Sequence, residues 1–467
     1  MAENSELNEY LQSTTKSKEL WEEAKKYLPG GDSRNSIFWA PYPIFIDQAS
    51  GCHVIDSDGT DRLDFIGTMT TLILGHGPKP VLDAVNAQMS RGVVYNAPNA
   101  HQIRLAKLLC ERIPSFDMVR FTNSGTEATL NTIRAARATT GKSKIAKVEG
   151  GYHGSHDQVS VSVRVNPANA GERSRPDAMA ATEGLGEGTL DQVVVVPFNE
   201  TATARETLEA YKDELAAVII EPMLGSVGML PATSEFLTML RDFTSANGIV
   251  LIFDEVISYR ASSGGAQEYY GVTPDMTSLG KIIGGGFSIG AFGGRKDIMD
   301  LYDPSAAGGP RVAHAGTFNA NPVTMLAGAT TLEQLTPEVY RKLDDMTDYL
   351  RSEILKVGAE LETPIQVTGL GSLFGIHFTG DELVGYRDIA REDSAFRHQV
   401  FLGMLNEGIL MASNLVGAVS TEIGETEIDA FTAALRRVLK TNSVCCKVGW
   451  LISEKEEKCL KDLRIFR

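Results

Sequence analysis

Lys281 has the most distinctive chemical setting of any residue in this sequence. It stands in the segment GKIIGGGFSIGAFGG, where apolar residues and glycines surround it. A lysine in such a setting can lose its hydration, which lowers its pKa and favours imine formation with an aldehyde. Most lysines near glycine are simply exposed, so this interpretation depends on partners elsewhere in the chain.

Two acidic residues directly follow continuous apolar runs. Glu221 comes after AAVII, and Asp254 comes after GIVLIF. A carboxylate in the position of Asp254 can keep a pyridinium nitrogen protonated, which turns the ring into an electron sink. Taken singly, either acid could also begin a loop or cap a helix.

Two turns supply the other groups that such a site needs. Ser124, Gly125 and Thr126 open a helical pattern in VRFTNSGTEATLNTIRAARATTG, and the N-terminus of a helix can bind phosphate. The same residues, with Glu127, also make an ordinary helix cap. Tyr152 in GGYHG offers a ring that can lie flat on a planar cofactor, although it could equally be a core aromatic. A phosphate turn, an aromatic ring, an acid and a lysine together favour a single cofactor site.

Strand and helix patterns alternate between about residues 60 and 325, where these residues lie. The runs KIAKVEG, QVVVVPF, AAVIIEP and GIVLIFDEV are apolar throughout, which predicts strands buried on both faces of a parallel sheet covered by helices. Ligands of open α/β sheets lie beyond the carboxyl ends of the strands, where Glu221 and Asp254 are found. After residue 325 the pattern is helical and then consists of short strands, which predicts a smaller α+β domain.

Two segments depart from this alternation. Residues 163–190 are rich in Arg, Pro, Ala, Gly and Glu without periodicity, and we expect them to form a mobile flap near the site. Residues 443–467 carry three of the five cysteines and many charges, and we expect an appended tail there.

Charge and composition argue against several partners. The chain has 467 residues with 44 Lys and Arg against 60 Asp and Glu, a formal charge of −16. This charge speaks against nucleic acid or an anionic membrane as the main partner and favours a small molecule. No segment is long and apolar enough to be a signal or a membrane span, so we expect a cytoplasmic protein. The few cysteines indicate neither a disulfide framework nor a metal site.

Six motifs carry a resemblance to a known family. NSGTEA, GGYHG, IIEPM, FDEV, SLGKIIGGG and AGTFNANP resemble the class III aminotransferases of pyridoxal-5′-phosphate (PLP) fold type I, from about residue 20 to residue 440. The resemblance implies an α/β fold with PLP as cofactor and a homodimer with shared active sites. It also implies a large PLP-binding domain at 61–325 and a small domain built from segments 1–60 and 326–442.

The resemblance also implies roles for individual residues. Lys281 would hold the cofactor and shuttle a proton, and Asp254 would contact the pyridine nitrogen. Tyr152 would stack on one face of the ring and Val256 would pack on the other. Ser124, Gly125 and Thr126 would contact the phosphate, and Thr317 would reach the phosphate of the neighbouring subunit. Glu221, the other acid at a strand end, is also expected to contact the cofactor.

Two branches of the family resemble different parts of this chain. GGAQEYYGVTPD and EGGYHG are similar to glutamate-1-semialdehyde 2,1-aminomutases, whereas GGDSRNSIFWAPYPIF, AFGGRKDIMDLYDP and HAGTFNANP are similar to β-amino-acid (β-phenylalanine) aminotransferases. The Ser-Pro-Val-Arg run and the gate sequence of the aminomutases are absent. We therefore predict an aminotransferase that acts on an amino acid, including β-amino acids, or an amine and a keto acid. An aminomutase is the alternative, and a non-catalytic interaction protein of the same fold is a remote one.

Two residues are implicated in substrate binding. Both branches place a carboxylate-binding arginine at Arg34, and a guanidinium suits bidentate contact with a carboxylate. A solvated arginine after a turn is the other interpretation of Arg34. Asn414 stands where the β-amino-acid enzymes have a second arginine, so the second substrate is either held differently or is not the usual dicarboxylate. Arg260 is the next basic residue to consider if Arg34 does not bind the carboxylate.

Overall fold

The computed structural model describes residues 5–442 of the chain. Its helices are α1 (Ser5–Ser13), α2 (Thr15–Ala24), α3 (Gly67–Thr70), α4 (Lys79–Met89), α5 (Ala100–Arg112), α6 (Gly125–Thr140), α7 (Thr201–Tyr211), α8 (Ser234–Asn247), α9 (Ala266–Tyr270), α10 (Lys296–Met299), α11 (Pro322–Gln334), α12 (Pro337–Glu360), α13 (Tyr386–Ile389) and α14 (Ser394–Asn406). A last helix begins at residue 425 and reaches residue 442.

The strands are short and fall into five sheets. They are β1 (Ile46–Ser50), β2 (His53–Asp56), β3 (Asp61–Asp64), β4 (Met118–Thr122), β5 (Lys144–Val148), β6 (Gly171–Glu172), β7 (Arg175–Pro176), β8 (Val193–Val196), β9 (Leu215–Ile220), β10 (Met223–Leu224), β11 (Leu230–Pro231), β12 (Val250–Asp254), β13 (Met276–Gly280), β14 (Gly290–Gly294), β15 (Gln366–Thr368), β16 (Leu373–His377), β17 (Ile409–Leu410) and β18 (Val416–Ala418).

A seven-stranded sheet in the order β4-β14-β13-β12-β9-β5-β8 forms the centre of the large part of the molecule. All its strands are parallel except β14, which runs antiparallel to both neighbours. Every residue of β9 and β12 is buried. The prediction of a parallel sheet covered by helices is therefore confirmed.

Alternate residues of the sheet pack into two separate hydrophobic clusters. In β12, Leu251 and Phe253 join one cluster with Phe236 of α8. Val250 and Ile252 belong to another cluster, which also contains apolar residues of α6. Successive side chains of a strand point to opposite faces, so a strand covered on both sides must be apolar throughout.

Segments from both ends of the described chain form the smaller part of the molecule. The sheet β1-β2-β3-β17 pairs β3 in parallel with β17, so residues 46–64 and 409–410 share one sheet. A second sheet, β15-β16-β18, is antiparallel. This α+β part agrees with the expected smaller domain, and the division at residues 60 and 325 stays a proposal.

The expected tail, 443–467, lies outside the described residues. Within 5–442, no helix is long and apolar enough to cross a membrane.

Two arginines tie the first half of the 163–190 segment to the C-terminal part of the chain. Arg387 is buried, binds the carboxylate of Glu149 at 2.9 Å, and donates to the carbonyls of Gly171 and Ala170 at 2.8 and 2.9 Å. Arg173 binds both carboxylate oxygens of Asp388 and also contacts Glu200. The segment expected to be a mobile flap is therefore anchored over residues 170–173, whereas residues 181–184 are exposed.

Arg260 links three separate parts of the chain. Its fully buried guanidinium donates to the carbonyl oxygens of Thr70 and Val419 at 2.6 and 2.7 Å and to Ser372 Oγ at 2.9 Å. Thr70 ends α3, a left-handed turn in which Thr68, Met69 and Thr70 itself all have positive φ. Non-glycine residues rarely adopt this conformation unless their surroundings hold them there. The guanidinium of Arg260 thus donates to three groups within the fold, which speaks against a role in binding a substrate carboxylate.

We expect Arg260→Met to lower the stability of the protein. The variant keeps the volume of the side chain but leaves two buried carbonyls without a donor, which should cost about 2–4 kcal/mol. Thermal unfolding followed by circular dichroism measures the loss, with exposed Arg205→Met as the control. An unchanged melting temperature together with lost use of carboxylated substrates would return Arg260 to the substrate site.

Candidate active site

Lys281 follows directly after β13, and Asp254 is the last residue of the neighbouring strand β12. Lys281 has φ +51, a strained conformation for a residue with a side chain. Burial lowers the pKa of Lys281, while the charges of Asp254 and Glu221 oppose this shift. The turn after β13 therefore holds an amine in a desolvated position at the carboxyl edge of the sheet.

The carboxylate of Asp254 is held in place by two donors. Its Oδ2 lies 2.9 Å from His153 Nδ1, and its Oδ1 accepts from the backbone N–H of Val256 at 3.1 Å. Burial lowers the pKa of His153, partly offset by its hydrogen bond with Asp254. A neutral histidine whose Nδ1–H donates to Asp254 would orient the acid without neutralising it. The sequence assigned His153 no role; its place beside Tyr152 was the only signal.

Glu221 follows β9, the strand on the other side of β12. Its carboxyl oxygens accept from the N–H groups of Tyr152 at 2.8 Å and Gly225 at 3.2 Å. Burial, with a smaller effect from the charge of Asp254, raises the pKa of Glu221 to about 8. Near neutral pH Glu221 is mostly protonated, so that it holds the Tyr152 turn in place without adding a full second negative charge beside Asp254.

The turn before α6 combines both of the interpretations that the sequence left open. Ser124 caps the helix, since its Oγ accepts from Glu127 N at 3.2 Å. The N–H groups of Gly125 and Thr126 have no partner within residues 5–442. A side chain at Gly125 would come within 2.8 Å of Val256, so glycine is required there. The helix start thus offers free N–H donors of the kind that bind phosphate.

One cavity of about 140 Å³ brings most of the predicted residues together. Tyr152 keeps 44% of its surface exposed, which leaves a ring face available to a planar molecule. His153, Gly154 and Ile257, for which no role was predicted, also line the cavity. Its lining includes seven of the predicted cofactor residues: Gly125, Thr126, Tyr152, Glu221, Asp254, Val256 and Lys281.

Ser124 immediately precedes the lining residue Gly125, and three other predicted residues lie away from this cavity in the single chain. Thr317 is exposed and lines a surface pocket with Val94 and Tyr95. Arg34 is exposed, and its backbone N–H, not its guanidinium, contacts Asp32. Asn414 lines a neighbouring pocket and donates to the Ser226 carbonyl at 3.2 Å.

The carboxyl edge of this largely parallel sheet holds an amine, a buried acid and an open aromatic ring. These groups are typical of an α/β enzyme built around a planar aldehyde cofactor. The chain belongs to the aminotransferase class-III family, whose model matches residues 39–436. Its fold is PLP fold type I.

Similar proteins include both aminotransferases and aminomutases. An omega-transaminase structure from Sphaerobacter thermophilus is 46% identical, with a TM-score of 0.88 over 91% of this chain and 97% of that one. A beta-phenylalanine aminotransferase structure from Variovorax paradoxus is 35% identical, with a TM-score of 0.85 over 94% and 97%. A glutamate-1-semialdehyde 2,1-aminomutase from Methanococcus maripaludis strain DSM 14266 is 36% identical over 91% of this chain and 98% of its own length.

The cofactor of this family is pyridoxal phosphate. The cavity fits this group on three observations: the free N–H donors at the start of α6, the fixed carboxylate of Asp254, and the amine of Lys281, whose pKa is lowered by burial. The assignment of each residue to a part of the cofactor stays a proposal.

The raised pKa of Glu221 predicts how stability depends on pH. The pKa of Glu221 is about 8 in the folded protein, against an ordinary value of 4.5. Such a group makes its full contribution to the free energy of unfolding at low pH, and this contribution is lost as the pH rises from about 4.5 toward 8. We expect cofactor-free Glu221→Gln to gain stability over the cofactor-free wild type between pH 5 and pH 8, by at most about 1.4 kcal/mol per pH unit. Thermal melting at these two pH values measures the gap, with exposed Glu206→Gln as the control. A gap that stays constant with pH would contradict this prediction.

Proposed function

We propose that this protein is a PLP-dependent aminotransferase that moves an amino group between an amino acid or amine and a keto acid. The observation that carries the proposal is that Lys281 and the fixed carboxylate of Asp254 line one cavity at the ends of adjacent strands. The 46% identity to an omega-transaminase over 91% of the chain supports it. β-Amino acids are among the proposed donors because a beta-phenylalanine aminotransferase is also similar along 94% of the chain.

Each residue of the cavity has a role in this proposal. Pyridoxal phosphate, when bound, supplies an aldehyde that exchanges amines and a ring that accepts electrons. The pKa of Lys281 is lowered by burial, so its Nζ can accept a proton from the substrate carbon and later donate it again. Asp254, oriented by His153, holds a protonated ring nitrogen. Tyr152 and Val256 enclose the ring, and the start of α6 binds the phosphate.

Isomerisation of glutamate-1-semialdehyde by an aminomutase reaction is the second candidate. It is supported by relatives of that name, which are 36–40% identical to this chain. The same Lys281 and Asp254 would serve it, because the two reactions differ only in whether the amino group leaves with another molecule. The lack of the aminomutases' Ser-Pro-Val-Arg run favours transfer. A non-catalytic protein of this fold would not need both residues, so it is the least supported of the three.

We also propose a homodimer in which Thr317 reaches the phosphate of the neighbouring subunit. In the single chain Thr317 is exposed, beside an apolar surface formed by Val93, Val94, Tyr95 and Phe318, which are 42–59% exposed. An apolar surface of this kind is typical of a protein interface. A second copy of the chain would cover it and would bring a hydroxyl donor to the partner's cavity.

The test of the proposed function is an amine panel. We expect the PLP form of the wild type to change its visible absorbance on incubation with β-amino acids or ω-amines, and to release the matching carbonyl product. Lys281→Ala should lack the visible band of the bound cofactor and should transfer no amino group, because Lys281 is the only lysine among the described residues that line the cavity.

The same samples separate the two candidate reactions. Rapid isomerisation of glutamate-1-semialdehyde without net loss of its amino group, combined with no reaction of the panel, would favour the aminomutase. Normal transfer by Lys281→Ala would contradict both candidates.

If Thr317 completes the phosphate site of the neighbouring subunit, PLP affinity should depend on formation of the dimer. Thr317→Val should weaken PLP binding by about tenfold or more while the dimer persists, because the charged phosphate would lose the hydrogen bond donated by the Thr317 hydroxyl. Fluorescence titration with PLP, together with light scattering, measures affinity and assembly. Exposed Thr182→Val is the control. PLP binding to a monomer as tight as to the dimer would contradict the shared site.

A further inference from the structure

A second pocket, of about 440 Å³, lies next to the cofactor cavity. Two arginines and one histidine, Arg164, Arg397 and His377, are among its lining residues, and none of these lining residues is an aspartate or glutamate. This is notable in a chain whose formal charge is −16. The lining of the pocket therefore carries basic but no acidic side chains, which favours an anionic group.

The loop after Glu221 forms the wall between the pocket and the cavity. Glu221 lines the cavity and accepts from Gly225 N, and the next residue, Ser226, lines the pocket. The Ser226 carbonyl accepts from Arg164 Nη2 at 2.8 Å and from Asn414 Nδ2 at 3.2 Å. The charge of Arg164 also acts on the hydroxyl of Tyr152, on the cavity side. A substrate that reacts beside Tyr152 can therefore extend toward Arg164.

Arg164 is exposed, and it is the arginine of this pocket that has no acidic partner among the described residues. His377 and Arg397 both contact Glu392, at 2.5 and 3.7 Å. Arg164 makes no ion pair within residues 5–442, and its one side-chain hydrogen bond there goes to a neutral carbonyl. The remaining N–H groups of its guanidinium are free to form a bidentate contact with a carboxylate. Ser226 Oγ, buried in the same wall, also has no partner among the described residues.

The backbone around Arg164 is held firmly in an unusual conformation. Arg164 has φ +51, which residues with side chains rarely adopt. On one side, the buried Lys147 Nζ donates to the Val161 carbonyl at 2.7 Å. On the other side, the Tyr386 hydroxyl donates to the Val165 carbonyl at 2.6 Å. These contacts fix the backbone on both sides of Arg164, and the Ser226 carbonyl holds its guanidinium at the pocket, a form of preorganisation.

We propose that Arg164 binds the carboxylate of the substrate, with Asn414 and Ser226 as neutral partners. The proposal rests on the proposed aminotransferase function and names its substrate class: amino acids, in preference to amines without a carboxylate. It explains why the position of Asn414 needs no arginine, because the positive charge of this pocket is supplied by Arg164 instead. Arg34 lines neither the pocket nor the cavity of the same chain.

The test compares two donors that differ only in the carboxylate, 3-aminobutanoate and 2-aminobutane. Arg164→Asn removes the charge, and asparagine accepts a positive φ more readily than most residues. We expect this variant to lower kcat/KM for 3-aminobutanoate by about 10- to 100-fold and to change kcat/KM for 2-aminobutane less than about threefold. Arg164→Lys should retain part of the preference. Arg34→Gln, a matched loss of charge, should affect 3-aminobutanoate much less than Arg164→Asn does.

Calorimetry with butanoate, which has no amine and cannot react, gives a readout that is independent of activity. We expect Arg164→Asn to weaken butanoate binding to the PLP form by about tenfold or more. Equal losses for both donors would show that Arg164 only supports the fold, and full retention in Arg164→Asn with loss in Arg34→Gln would move the carboxylate to Arg34. If the wild type transfers from neither donor, the proposed function fails; unchanged butanoate binding in Arg164→Asn overturns the present proposal alone.

Discussion

The burial of ionisable groups at the carboxyl edge of one sheet is the constraint on which the rest of this structure depends. Asp254 and the neighbouring Glu221 lie at the ends of adjacent strands, and Lys281 follows the next strand. Buried charges are costly unless they are paired or neutralised. Here each carboxyl group accepts two hydrogen bonds, and the pKa of Glu221 is raised to about 8. The site therefore keeps a desolvated amine beside an oriented acid without two adjacent full negative charges.

A second buried lysine lies near both Glu221 of the cavity and the segment that carries Arg164. Lys147 lies in β5, has no exposed surface, and donates to the carbonyls of Val148 and Val161. Burial lowers its pKa to about 7, and the charges of Glu221 and Glu149 oppose the shift. Lys147 thus lies close enough to Glu221 for their charges to interact, and it fixes the start of the segment that carries Arg164.

Much of this arrangement could be predicted from residue patterns, and the reasons are physical. A strand covered on both faces must be apolar throughout, so β5, β8, β9 and β12 were recognisable, and so were the acids that end two of them. The strand β14, with the sequence GAFGG, was not, because glycine has low strand propensity. The left-handed turn at Thr68 and the positive φ of Arg164 also leave no local signal, since only tertiary contacts hold them. Thr317 is a different case, because its proposed partner is on another chain.

The central proposal is that Lys281 holds pyridoxal phosphate through its amine, and chemical trapping tests it most directly. Borohydride reduces an imine between a lysine and an aldehyde to a stable secondary amine, which survives proteolysis. Reduction of the PLP form, followed by tryptic digestion and peptide mass spectrometry, should give one modified peptide with the phosphopyridoxyl mass on Lys281. Modification of another lysine in place of Lys281, or no modification of protein that retains bound PLP, would contradict the account.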